Sequence, residues 1–406
     1  MRILKRPVFD DSAWYFSLIP INMAIGSIKV VIVLIALAAG AGLFEIGLLI
    51  ALNSAATIVF SLFWGRISDF FGLRKKFMLL LFLLSSPMFI LLGLSDSVLT
   101  LTILYTALAA FTGGIQPIAS MYAVEYREGK NWRQEVVKFN SYLNVGVIVG
   151  LVANTLLALV IPLSWILYLS AGLCLISAVV LWKTAKEPLL PLEREAYSIT
   201  DYFDIKKFKR VLSFRKPKPI TILFIVSLIH WVGVYSYGVG EVPLMTAIGL
   251  SSSMIIGINV AENIATVYSF NRLVPRAKMS PKKLIATMMG VRGLLIMVWA
   301  ALTFFTANQF GAVFILPLIL EIAFLICYAL LWYPIMCFAI SQSPPGRKGT
   351  TQGELLSVVS MGNVGGALIG GILIGGFGFE VGFIVSGIIA ILSIPLLRYV
   401  DIDINE

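Results

Sequence analysis

The sequence predicts an all-α membrane protein, twelve transmembrane helices in two pseudo-symmetric six-helix bundles, and three observations lead there. Of 406 residues, 59% are apolar and only 13% charged, too little charge to cover a water-facing surface. Apolar runs of about 20 residues, the length that crosses the hydrocarbon layer, recur from end to end. The 31 Lys and Arg residues, apart from Lys29 and Arg292, fall within residues 2–6, 66–76, 127–138, 183–218, 272–283, 347–348 and at Arg398. The alternating connections between those stretches carry none. Because basic residues beside membrane segments stay on the inner side, both termini and the central connection are expected in the cytoplasm. An even number of crossings follows.

The first run, 14–38, is long and has no small-residue cleavage site, so it reads as a span and not as a cleaved signal peptide. A turn near Gly40 leads to the second, 44–64, which ends at the basic stretch 66–76. Spans 77–95 and 98–122 meet at Asp96, and 138–160 and 163–183 meet at Pro162. The one long connection then carries ten basic and five acidic residues between 183 and 219, with prolines near both ends. Inside it Ile205, Phe208, Val211, Leu212 and Phe214 interleave with Lys206, Lys207, Lys209 and Arg210, as in a short helix lying on the membrane face; a tether without fixed structure is the plainer reading. Spans 220–243, 250–271, 283–306, 310–338, 353–376 and 380–400 follow, turning at Gly249, Asn308 and Gly378. The domain organisation is therefore 1–183 as an N-terminal six-helix bundle, 184–219 as a cytoplasmic linker and 220–406 as a C-terminal six-helix bundle.

The halves echo one another. Gly146 and Gly150 in the fifth span correspond to Gly362 and Gly366 in the eleventh, and glycines four apart permit close helix contact. Duplication of this kind is typical of membrane proteins whose two halves work against each other.

Composition also excludes classes of function. The net charge of +10 borders apolar runs and faces anionic lipid headgroups, which argues against a nucleic-acid partner. Cys174, Cys327 and Cys337 lie in apolar segments without paired spacing, so neither a disulfide framework nor a metal site is implied. There is no phosphate-cradling glycine loop and no cluster of Cys, His and carboxylate, so an enzyme, a cofactor and ATP drive are not expected. A monomer embedded in membrane lipids is.

Between the second and third spans run Gly65, Arg66, Ile67, Ser68, Asp69, Phe70, Phe71, Gly72, Leu73, Arg74, Lys75 and Lys76. This resembles the signature loop of the major facilitator superfamily: a glycine and an aspartate four residues apart, a second glycine three later, then a basic pair. With the twelve spans and the six-plus-six division, the resemblance covers the whole chain. It implies that Gly65, Asp69, Gly72 and Arg74 form a cytoplasmic gate motif, the carboxylate capping a neighbouring helix end and bonding basic partners while the carrier faces outward. An anion at a helix N-terminus gains about 0.3 to 1 kcal/mol. Phe70 and Leu73 stand where the family commonly has basic residues, and Lys75 and Lys76 read as topology charges alone. In the second half, 271–283 keeps the positive charge but has Pro275 near the aspartate's place. Ala109 and Ala110 precede Gly113 and Gly114 where the family's antiporters carry an arginine, and Leu151 follows Gly150 in place of their proline; both departures speak against antiport.

A charge in mid-membrane costs about 2.5 to 3.5 kcal/mol on insertion scales, so it needs a partner or a purpose. At about 1.5 Å per residue, Lys29, His230, Glu262, Arg292 and Glu321 all lie deep in the layer. Two cations matched by two anions suggest pairing, with Glu262 and Glu321 as partners of Arg292 and Lys29. The family resemblance implies that spans 1, 4, 7 and 10 line a central cavity. The substrate-binding candidates are then Asn22, Lys29, Asn53, Thr112, Gln116, Asn144, His230, Tyr237, Tyr328 and Trp332. Glu262, on a polar stripe with Asn259, Asn263 and Thr266, and Glu321 are the proton-coupling candidates, and Arg292 is their charge partner. The plain alternatives are a hydrogen-bonded packing role for His230 and ordinary core packing for the aromatics. Lys29 favours an anionic solute, whereas aromatics beside acids suit a lipophilic cation.

The expected function is a secondary active transporter of a small organic solute, working by alternating access in the plasma membrane and coupled to protons. An uncoupled facilitator or organic-anion exchanger is the alternative within transport. A membrane receptor or lipid translocator is the alternative from another class.

Overall fold

In a computed structural model of the chain, residues 13–125, 132–187, 219–304, 310–342 and 348–400 are described, and every regular element among them is helical. A 3₁₀ turn, Ala13–Ser17, leads into α1 (Leu18–Gly26) and α2 (Ile28–Ala38), one span interrupted at Ser27. Then follow α3 (Leu43–Phe71), α4 (Arg74–Gly93), α5 (Val98–Thr112) with α6 (Ile115–Glu125), α7 (Trp132–Leu157) and α8 (Leu163–Thr184). The second half comprises α9 (Pro219–Ala247), α10 (Ser252–Tyr268), α11 (Pro281–Trp299), α12 (Phe310–Ser341) and α13 (Lys348–Leu392).

Ten stretches of the described residues are long and apolar enough to cross a membrane. The last, Glu354–Tyr399, has 46 residues, about twice what one crossing needs. Gly378 interrupts it at φ 85°, ψ 171°, a conformation open to glycine and not to residues with a Cβ, and so divides it into two spans. Helix α10, at 17 residues, lengthens through the π-helical turn Ser269–Leu273. The arrangement is consistent with the twelve expected crossings.

Local chemistry sets the helix ends. Glu45 accepts the Gly42 N–H at 2.7 Å at the start of α3, and Ser97 Oγ accepts the Thr100 N–H at 3.1 Å at the start of α5. Gly72, left-handed at φ 64°, stops α3 by turning its N–H onto the Ser68 carbonyl at 2.9 Å.

The chain divides into two compact units: Met1–Leu190 with Val242–Ala261, and Pro191–Glu241 with Glu262–Glu406. The end of α9 and the first part of α10 thus group with unit 1, where Ser253 Oγ donates to the Thr155 carbonyl at 2.6 Å. The central stretch that the sequence reads as a surface helix, 205–214, lies outside the described residues.

Lipid is as apolar as leucine, so packing inside each unit rests on close backbone approach more than on hydrophobic exclusion. In unit 1, a Cβ on Gly146 would come within 2.7 Å of the Ile19 carbonyl oxygen, and one on Gly150 within 2.5 Å of Met23 Cα. In unit 2, a Cβ on Gly362 would meet Trp231 Cβ at 2.7 Å, and one on Gly366 the Val232 carbonyl oxygen at 2.5 Å. The expected glycine pairs therefore do the same work, α7 lying against α1 as α13 lies against α9. Around the second contact sit Leu223, Val226, Ile285, Met289, Leu331, Ile335 and Phe338, all buried. By contrast α8 turns Trp165, Leu169, Ile176, Val179 and Trp182 outward, a strip suited to acyl chains.

Gly150→Val and Gly366→Val should each lower unfolding stability in detergent by about 1 to 3 kcal/mol, the cost of overpacking. Gly172→Ala, where an added Cβ meets nothing within 4 Å, should leave the unfolding midpoint unchanged or slightly raised.

Candidate substrate and proton-coupling site

Helix α9 presents His230, Tyr237 and Glu241 on one face, since positions seven and eleven apart nearly coincide around a helix. Within unit 2 this face meets α10 and α12. The carboxylate oxygens of Glu241, Glu262 and Glu321 all lie within 4.8 Å of one another, Glu321 buried and the other two half-buried. Tyr237, itself buried among Trp299, Phe324 and Phe383 at ring separations of 5.4 to 5.5 Å, donates its hydroxyl to Glu321 Oε1. That packing fixes the ring and aims the hydroxyl. Three converging carboxylates can share protons or bracket a small cation, and the trio is where a metal ion could be held.

His230 and Arg292 form a separate group. The His230 ring approaches the Ala390 carbonyl through Nδ1 at 3.0 Å and Arg292 Nη1 through Nε2 at 3.1 Å. A guanidinium can only donate, so Nε2 accepts and the proton sits on Nδ1, where it bonds Ala390. Both nitrogens of this buried ring are thus engaged by the protein. Arg292 lies against Phe324, Trp231 and Tyr328, its guanidinium carbon 4.1, 4.9 and 5.7 Å from the ring centroids. Such contacts give a desolvated cation about 2 kcal/mol or more. The expected ion pair is not made: Arg292 and Glu321 are close enough to interact electrostatically but share no salt bridge, and the side-chain hydrogen-bond partner of Arg292 is a neutral histidine. Arg292 Nε and Trp231 Nε1 are buried with no hydrogen-bond partner among the described residues. Tyr328 and Trp332, half-buried, stack at 6.3 Å with 20° between their planes.

In unit 1 the named candidates divide into two sets. Asn22 Nδ2 bonds the Leu18 carbonyl at 2.8 Å and Thr112 Oγ1 the Leu108 carbonyl at 3.1 Å, each within its own span. Asn53 Nδ2 crosses to the Tyr105 carbonyl at 2.9 Å and ties α3 to α5. Lys29, Gln116 and Asn144 are exposed and have no hydrogen bond or ion pair among the described residues.

At the gate motif, Gly72 terminates α3, and buried Arg74 donates from Nη1 to Ser68 Oγ at 2.7 Å. A Cβ on Gly65 would meet nothing within 4 Å. The Asp69 side chain lies outside what is described. Lys75 is more than a topology charge. Lys75 Nζ donates to the Trp182 and Ala185 carbonyls at 3.0 and 2.6 Å, capping the end of α8. Glu187 accepts the backbone N–H groups of Lys75 and Lys76 at 2.9 and 3.2 Å, at the start of α4. Sequence reasoning passes over Glu187, and it places Glu241 on one face with His230 and Tyr237 without counting it among the proton-coupling candidates.

A helical membrane fold built from two glycine-packed halves, with ionisable groups gathered inside it, is that of a polytopic membrane transporter. A family model described as Major Facilitator Superfamily matches residues 14–353, and the chain belongs to that superfamily. Solved structures agree in fold. The nucleoside transporter NupG is 13% identical with a TM-score of 0.71, the match covering 96% of this chain and 99% of that one. A bacterial homologue of the human lysosomal transporter Spinster is 17% identical at 0.70, covering 96% and 95%, and a D-xylose–proton symporter is 15% identical at 0.69, covering 97% and 96%. At such identities the likeness establishes the fold alone. Comparison with curated protein sequences finds no match.

Tyr237→Phe should lower unfolding stability by about 1 to 3 kcal/mol, because the buried Glu321 carboxyl loses its donor. In a Glu321→Leu background the same substitution should cost much less, which a double-mutant cycle on the purified protein measures.

Proposed function

We propose that this protein is a secondary active transporter that moves a small organic solute across the plasma membrane by alternating access, driven by protons that bind at Glu321, Glu262 and Glu241. The carboxylate trio carries the reading. Two unit charges 4.8 Å apart repel by roughly 3 to 4 kcal/mol at an effective dielectric near 20, so three ionised carboxylates at that spacing oppose one another strongly. Protons relieve the repulsion, and their loss restores it. A cluster on three helices is therefore tighter when protonated and looser when not, which is what a proton-driven change of access requires. The Tyr237 hydroxyl holds Glu321 in place, and Arg292 lies near enough to steady the negative form without quenching it in a salt bridge.

Cytoplasmic termini follow from the basic residues at the inner stretches. The transported molecule is a small solute, as in the superfamily at large, and the exposed groups of unit 1 offer it Lys29, Gln116 and Asn144. The engaged nitrogens of His230 suit a positioning part beside Arg292. An uncoupled exchanger of organic anions is the second reading, and the exposed ammonium of Lys29 is what favours it.

In reconstituted vesicles with an imposed pH gradient, the wild type should accumulate solute. The double variant Glu262→Gln with Glu321→Gln should lose accumulation yet still exchange solute in counterflow. Proton-driven accumulation that survives both substitutions would remove the coupling mechanism.

A further inference from the structure

Lys29 differs from every other charge in unit 1. The remaining Lys, Arg and Glu residues of α1 to α8, from Glu45 and Arg66 to Lys183, lie within about two turns of a helix end, whereas Lys29 lies in the middle of the first span. It is exposed, yet its surroundings on α2 are not those of a lipid-facing position. Ile28, Val30, Ile32, Val33 and Ala36 around it are all buried, while a helix that faces lipid exposes residues turn after turn, as α8 does. One turn before it Gly26 is also exposed, and a Cβ there would come within 2.9 Å of Val147 on α7, so α7 packs beside this face. Next to it Asn154 donates to Ser27 Oγ, so those neighbouring polar groups satisfy each other and leave the ammonium aside.

Lys29 is thus an exposed cation without an ion-pair partner among the described residues, on a helix whose neighbouring positions are buried. From these observations we infer that Lys29 anchors an oxyanion, a carboxylate or a phosphate group, on the transported solute. The inference rests on the transport reading and narrows its substrate class. A lysine ammonium is a compact point charge with three donors, able to take either oxyanion without demanding the planar two-point geometry that an arginine would impose. The exposed amides Gln116 and Asn144, also without partners among the described residues, are groups of the same unit able to bond the uncharged parts of such a solute. The charge also explains why the helix tolerates Lys29: an arriving anion and the ammonium each lose hydration, and each supplies what the other lost.

The test uses the purified full-length protein and a thermal-unfolding screen. The probes are carboxylates and phosphate esters, each beside a neutral amide or alcohol of the same skeleton, with inorganic phosphate alone as a separate arm. Anionic members should raise the wild-type midpoint and their neutral counterparts should not; the carboxylate and phosphate arms then say which oxyanion is bound. Lys29→Ala should fold, since no partner is lost, and should bind the active anion roughly tenfold to a hundredfold more weakly, the span of a charged hydrogen bond. Lys29→Arg should retain most of the binding. Failure of every anion to stabilise the wild type, equal stabilisation by the neutral partners, or an unchanged response in Lys29→Ala overturns the inference. The transport reading fails separately, if vesicles exchange no solute of any charge. Uptake of a neutral or cationic solute that Lys29→Ala leaves intact removes the oxyanion and keeps the transporter.

Discussion

A charge carried into the hydrocarbon layer must be neutralised, wrapped or put to use, and the interior of this protein is organised by how each charge meets that demand. The carboxylates of Glu241, Glu262 and Glu321 are drawn together, and Glu321 accepts the Tyr237 hydroxyl. Arg292 is wrapped in aromatic faces and bonded to a neutral imidazole. Lys29 is left open. Within unit 2 Arg292 and Glu321 form no salt bridge, and groups left so can be rearranged by an arriving proton or solute more readily than a closed ion pair.

The scaffold that holds these groups is stiff. Glycines on α7 and α13 let whole helices touch backbone to backbone, so that neighbouring polar groups are placed by packing and not by their own pairing. Tyr237 shows the consequence. Three rings hold it, and its hydroxyl is therefore available to Glu321 at a fixed position. The end of α8 and the start of α4 are fastened by separate means, satisfied by Lys75 and Glu187 in a reciprocal exchange.

Much of the fold was legible in the sequence because membrane crossing imposes a length and an apolar composition that show in any stretch of 20 residues, and because a Gly-x-x-x-Gly spacing states which helix face packs closely. The break at Ser27 and the π turn after Tyr268 were not legible, since neither changes composition. Among site residues, depth in the membrane singled out Lys29, His230, Glu262, Arg292 and Glu321, and the family resemblance pointed to the helices that carry several of them. Their partners could not be read, because pairing depends on rotation and tilt of helices distant in sequence. Counting two cations against two anions led to a salt bridge of Arg292 with Glu321 that unit 2 does not make. A third acid, Glu241, restores the reason: the carboxylates have each other.

The measurement that bears most directly on this organisation is infrared difference spectroscopy of the purified protein across a pH titration. A cluster that works by sharing protons predicts a protonated-carboxyl stretching band whose intensity changes with pH and which Glu321→Gln diminishes or abolishes. Carboxylates that stay fully ionised across the titration, with no such band to lose, would contradict it.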